Sequence, residues 1–100
     1  MIAQDRSRKS KFLALSGDLE KVGRAYLEGQ AREVEKGGEL FIDLSRADFA
    51  GSGFLQRVVA LSKRIGASEG RLVLLNPSDF VAQILRIARI HEAVEIRREE

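Results

Sequence analysis

The stretch from Leu40 to Leu75, LFIDLSRADFAGSGFLQRVVALSKRIGASEGRLVLL, decides how the rest of the chain is read. It opens on a short apolar run, Leu40-Phe41-Ile42-Asp43-Leu44, and closes on another, Leu72-Val73-Leu74-Leu75. A continuous apolar run of the second kind is found in strands buried on both faces. Between the two lies a helical pattern. At about 100° per residue, Phe54, Leu55, Val58, Leu61, Ser62 and Ile65 share one face, and Gln56, Arg57, Lys63 and Arg64 fall opposite. Strand, amphipathic helix, strand is the crossover unit of a parallel sheet.

The same alternation extends outward in both directions. Downstream, Asn76-Pro77-Ser78 is a turn. A second amphipathic helix follows over Phe80 to Arg89, with Phe80, Val81, Ile84, Ile87 and Ala88 on one face. Val94 to Ile96 makes a weak last strand. Upstream, Phe12 to Leu15 is a short strand. Glu20 to Lys36 is a less regular helix, with a stripe of Val22, Tyr26 and Gly29 and a stop at Gly37-Gly38. The order β-α-β-α-β-α-β predicts an α/β fold: a mainly parallel, four- to five-stranded sheet with about three helices packed on it, joined by right-handed crossovers. Residues 1–10 are expected to form an edge strand or a flexible arm, and 11–100 the domain. Phe12, Phe41, Phe54 and Phe80 fall on core-facing patterns, which disfavours a base-stacking platform.

Composition narrows the function classes. One hundred residues make a single domain. Seventeen basic against fifteen acidic residues leave a net charge of +2, too near balance for a field that holds nucleic acid over the whole surface. With no cysteine there are no disulfides, thiolate metal sites or cysteine nucleophiles. A single histidine, His91, excludes a multi-histidine metal cluster. Apolar runs reach four or five residues, far short of the roughly 20 a spanning helix needs, so a cytoplasmic protein without membrane insertion is expected.

Sites in open α/β sheets lie beyond the carboxyl ends of the strands. Ser45 to Gly53, Asn76 to Ser78 and Ser16 to Leu19 occupy such places. The first ends in Gly51-Ser52-Gly53 and runs directly into the regular helix. Ser52 would sit at or beside the helix N-cap, where its hydroxyl could accept a bond from a free backbone N–H. It also sits where the helix dipole tolerates added negative charge, so a phosphate there need not unfold the domain. A partner carboxylate near 4 Å would oppose that phosphate by up to about 4 kcal/mol per unit charge pair, roughly a thousandfold in affinity. Enzymatic arrangements fail on spacing. A nucleophile elbow needs glycines two residues either side of the serine, where this chain has Ala50 and Phe54. Gly66 to Gly70 is followed by Arg71-Leu72 instead of the Lys-Ser/Thr of a phosphate loop. No metal set, cofactor loop or paired acid and base is present, so no enzyme and no cofactor are expected.

Taken together, Phe41-Ile42-Asp43-Leu44-Ser45 and Phe49-Ala50-Gly51-Ser52-Gly53-Phe54-Leu55 resemble the STAS domain of bacterial anti-sigma factor antagonists. Gly70-Arg71-Leu72-Val73-Leu74-Leu75-Asn76-Pro77-Ser78, Leu15-Ser16-Gly17-Asp18-Leu19 and Ile90-His91-Glu92 match the family in order and spacing. The likeness spans roughly residues 11–96. It implies a STAS-like module that binds an anti-sigma factor of the serine-kinase type, takes phosphate on the serine before the signature glycine, and then lets go. That serine is Ser52. Phe49, Ala50, Gly51, Ser52, Gly53 and Arg57 would form the partner surface. Ala50 and Gly51 stand where the family signature has Asp and Ser. That departure favours an alternative: a STAS-like scaffold or accessory module that binds a stress-signalling or transporter partner without phosphorylation.

Overall fold

A computed structural model describes residues 10–34 and 36–99. The elements, in chain order, are β1 (Ser10–Asp18), a 3-10 turn (Leu19–Lys21), α1 (Arg24–Arg32), β2 (Glu39–Phe49), α2 (Ser52–Ala67), β3 (Arg71–Leu75), α3 (Asp79–Ile87), a second 3-10 turn (Ile90–Glu92) and β4 (Glu95–Arg97). The four strands form one sheet in the order β1-β2-β3-β4, every pair parallel. The α/β architecture expected from the alternation is therefore the one observed. Ser10 already belongs to β1; residues 1–9, read above as strand or arm, lie outside the described residues.

Sequential strand order has a geometric consequence. Each crossover returns to the adjacent strand in the same direction, and crossovers of one hand place their helices on one face of the sheet. Register sorts the side chains accordingly. Leu13, Ile42, Leu74 and Ile96 align across all four strands, and Leu40 lies beside Leu72. This row packs against Leu27 and Ala31 of α1, Phe54, Val58, Leu61 and Ile65 of α2, and Val81 and Leu85 of α3, making one core. The opposite row, Phe12, Phe41 and Val73, faces away from the helices. Phe41, Val73 and Leu75 form a separate small cluster there. They are covered by side chains rather than by a helix: Phe12 stacks on Phe41 at 4.8 Å between ring centroids, and the Arg97 guanidinium lies 5.8 Å from the Phe41 centroid. Beside them Arg71 pairs with Glu39 and, at 3.0 Å, with Glu95, which also pairs with Arg97 at 2.8 Å.

Several expectations are corrected. Phe12 and Phe80 do not enter the core; they are 68% and 57% exposed. Phe12 alternates to the helix-free face of an edge strand. Phe80 is the second residue of α3, where Val81 and Leu85 take the buried stripe. Ile87 and Ala88, assigned to the same buried face, are exposed: they are the last residue and the C-cap of α3, whose buried residues are Val81 and Leu85. In α1 the buried residues are Leu27 and Ala31, not Tyr26. The segment Arg46 to Phe49, read as loop, continues β2, because β1 runs on beside it with Ser16 opposite Arg46 and Asp18 opposite Phe49. Register shifts between Ala14 and Ser16 and between Gly17 and Asp18 accommodate the extension.

Candidate functional site

The start of α2 is built from two distant parts of the chain. Gly51 is the N-cap, extended, with no side-chain capping bond. Ser52 is the first helical residue and is exposed, so it is not the cap that its position in the sequence suggested. The capping acceptor is Glu20. Its Oε2 receives the Phe54 N–H at 2.7 Å across a separation of 34 residues. Glu20 is itself placed by Asp18, whose Oδ1 accepts the Glu20 N–H at 2.9 Å and caps the first 3-10 turn. A carboxylate at a helix N-terminus is favoured by the macrodipole and satisfies an otherwise unpaired donor.

This contact accounts for both glycines around Ser52. A Cβ on Gly51 would lie 2.8 Å from Glu20 Oε2, and one on Gly53 would lie 2.7 Å from Glu20 Oε1. The carboxylate passes so close to the backbone that neither position accommodates a side chain without Glu20 moving. Neither Ala50 nor Gly51 carries a carboxylate, and Glu20 from the preceding crossover supplies one to the helix start. The sequence signal was Leu19-Glu20 following the Asp18 turn, with nothing local to tie it to residue 54.

Ser52 opens onto a shallow groove of about 500 Å³ between α2 and the segment after α3. Leu55, Val59, Ala88 and Ile90 line it, with Lys63 beside them. Phe49 lies three residues before Ser52 in the chain and meets Phe80 at 6.5 Å, both rings largely exposed. Phe80 is thus a surface residue at the strand carboxyl ends that the periodicity had assigned to the core. The remaining residues of the expected partner surface divide. Ala50 is only 2% exposed and points into the core. Gly51 is half-buried against Glu20. Gly53 and Arg57 turn to the other side of α2, where Arg57 Nη1 donates to the Val22 carbonyl at 3.2 Å. Arg57 and Arg64, grouped with Lys63 on one outer face above, line a trough against α1, whereas Lys63 shares the groove with Ser52.

The other strand ends are occupied structurally. Ser78 caps α3 by accepting the Val81 N–H at 3.3 Å. The Asn76 N–H donates to the Arg97 carbonyl at 2.8 Å, and Asn76 Oδ1 accepts the Glu99 N–H at 2.6 Å. His91 is exposed in the second 3-10 turn. No helix among the described residues is long and apolar enough to cross a membrane.

The fold, a sheet of four parallel strands in sequential order carrying three helices, is that of a STAS-type domain. The chain belongs to the family described as "Mlab, STAS domain", whose pattern matches residues 2–97. Among solved structures it is similar to an anti-sigma-factor antagonist (STAS) domain protein from Planctomyces limnophilus. The TM-score is 0.64 at 17% identity, over 89% of this chain and 82% of that one. No curated protein matches the chain.

Proposed function

We propose that this domain is a protein-interaction module of the anti-sigma factor antagonist type, working in the cytosol and without catalysis of its own. Its partner is an anti-sigma factor of the serine-kinase type, which docks on the Ser52 end of α2. Phosphorylation of Ser52 by the partner, with ATP that the partner holds, releases the complex. The observation that carries this reading is the placement of Ser52: exposed, in the first turn of α2, at the mouth of an apolar groove. The Phe49–Phe80 pair adds apolar contact area at the same end of the sheet. Added phosphate would sit at the edge of that contact, where it repels an acidic partner surface without entering the core.

A second reading is favoured by Glu20. Its carboxylate already holds the Phe54 N–H, so a phosphate at the same helix start meets a like charge and loses part of the stabilisation the dipole offers. Under this reading the module is a constitutive scaffold for a stress-signalling or transporter partner. One experiment separates the two: pull-down from native cytosol with wild-type and Ser52→Asp baits, with mass mapping of Ser52. The switch requires a kinase-like protein on the wild-type bait, its loss from Ser52→Asp, and phosphate on Ser52 in cells. Equal capture of one protein by both baits, with Ser52 unmodified, leaves the scaffold.

A further inference from the structure

The far edge of the sheet carries a small pocket of about 320 Å³, between α3 and the edge strand β4. Its floor is apolar: Pro77 from the turn after β3, Ala82 of α3 and Ile96 of β4. Pro77 is buried, whereas Ala82 and Ile96 are half-buried, so part of that floor is open to a ligand. Its rim is basic. Arg86 comes from the last turn of α3, His91 from the second 3-10 turn and Arg98 from just past β4. Among the described residues no acidic side chain lines it.

One cation in the last turn of a helix is ordinary, because it complements the dipole. Three basic side chains brought from three elements to one apolar hollow are not explained that way. Arg86 is exposed, and its side chain bonds no other described residue. The acids nearby are engaged elsewhere. Asp79 pairs with one nitrogen of Arg98 at 3.0 Å, which leaves further guanidinium N–H donors. Glu92, next to His91, pairs with Arg89 at 3.5 Å. Glu95 pairs with Arg71 and Arg97 on the helix-free face of the sheet. With the imidazole neutral, two guanidinium charges stand against the one carboxylate of Asp79, and the rim keeps a single net positive charge. One carboxylate balances that charge; the two or more charges of a phosphate chain overshoot it. Guanidinium forks match carboxylate oxygens in bidentate geometry. The floor takes a few carbons, and the volume lies at the small end of ligand sites.

We propose that the α3/β4 pocket binds a carboxylate carried on a short apolar body, with Arg86, His91 and Arg98 as the side chains that hold it. Such a group occurs on a free short-chain acid and at the C-terminal end of a peptide whose last residue is apolar. The pocket shares no residue with the Ser52 groove, so the proposal does not depend on the Ser52 reading.

The test is an amide chemical-shift titration of the full chain at low ionic strength. The probes are 3-methylbutanoate, its neutral amide, acetyl-alanyl-valine with a free carboxylate, and the same peptide amidated. Both carboxylates are expected to give saturable shifts at Ala82, His91 and Ile96, and neither amide is. Tighter binding of the peptide than of 3-methylbutanoate assigns the ligand to a chain end; equal or weaker binding assigns it to the free acid. A charged hydrogen bond is worth enough that Arg86→Gln should raise the dissociation constant of the tighter probe by roughly tenfold or more. Arg64→Gln removes the same charge from an exposed position on α2 and should leave it unchanged. His91→Ala, also at an exposed position, should weaken binding in the same direction if Arg86→Gln proves unstable. Absence of saturable shifts with both carboxylates overturns the proposal, as do equal shifts with the amides or an equal loss in Arg86→Gln and Arg64→Gln.

Discussion

At the residue scale, the most informative contact is that of Glu20 with the start of α2. Glycine to alanine in an exposed helix ordinarily stabilises by about 1 kcal/mol. At position 53 the new Cβ would meet Glu20 Oε1, and the carboxylate would have to leave the Phe54 N–H. Gly53→Ala is therefore expected to give no gain or a loss in the wild-type background. In a Glu20→Ala background only the Arg57 guanidinium, 3.2 Å from that Cβ, has to give way, and the substitution should stabilise by up to about 1 kcal/mol. Glu20→Ala alone should cost about 1 kcal/mol, the worth of a helix cap. Denaturant midpoints for the four proteins of this cycle check the coupling, and additive effects would show that Glu20 and Gly53 do not interact. Ser52→Ala, by contrast, removes an exposed hydroxyl that caps nothing, and should shift stability by less than about 0.5 kcal/mol. A drop of the size expected from Glu20→Ala would mean that Ser52, not Glu20, holds the helix start.

At the element scale, what could be read in advance depended on how each element buries its side chains. The helix of Phe54, Val58, Leu61 and Ile65 was legible because its apolar positions repeat at helical spacing and all face one core. α1 was not: it buries only Leu27 and Ala31, too few to outvote Tyr26 and Val22 in a periodicity count. Phe12 misled because alternation places a side chain on one face of a strand without saying which face carries helices. The helix cap was illegible because its acceptor lies in another crossover. β4 was rightly the weakest strand, and it is held largely by polar contacts. Arg97, hydrogen-bonded to Glu95, holds the Glu95 carboxyl below its ordinary range, and Arg71 adds to the effect. The folded pKa is lowered, so the contribution is present above the usual carboxylate value and is lost as pH falls through the acid range. Glu95→Gln should therefore melt below wild type at neutral pH, and the two curves should converge on acidification. Thermal melts across that range check the sign, and a gap that widens on acidification would contradict it.

At the scale of the whole molecule, the helices lie over one sheet face while a small aromatic cluster and an ion-pair network finish the other. Leu74 stands in the row that crosses all four strands, fully buried and one strand in from the edge. Leu74→Ala should cost about 2–5 kcal/mol, measured by denaturant unfolding, and a smaller cost would mean that the core collapses around the gap. The strictly sequential parallel order also bears on how the chain reaches this state. Among the described residues no two strands are joined by a tight turn, so none of these strands can pair as a hairpin. Each ladder closes only after a helix-long excursion, and the entropy of that closure is lost before any strand pairing compensates it. Refolding is therefore expected to be slower than that of a helical bundle of equal length, and its rate should respond most to the sites where β2, α2 and β3 first meet.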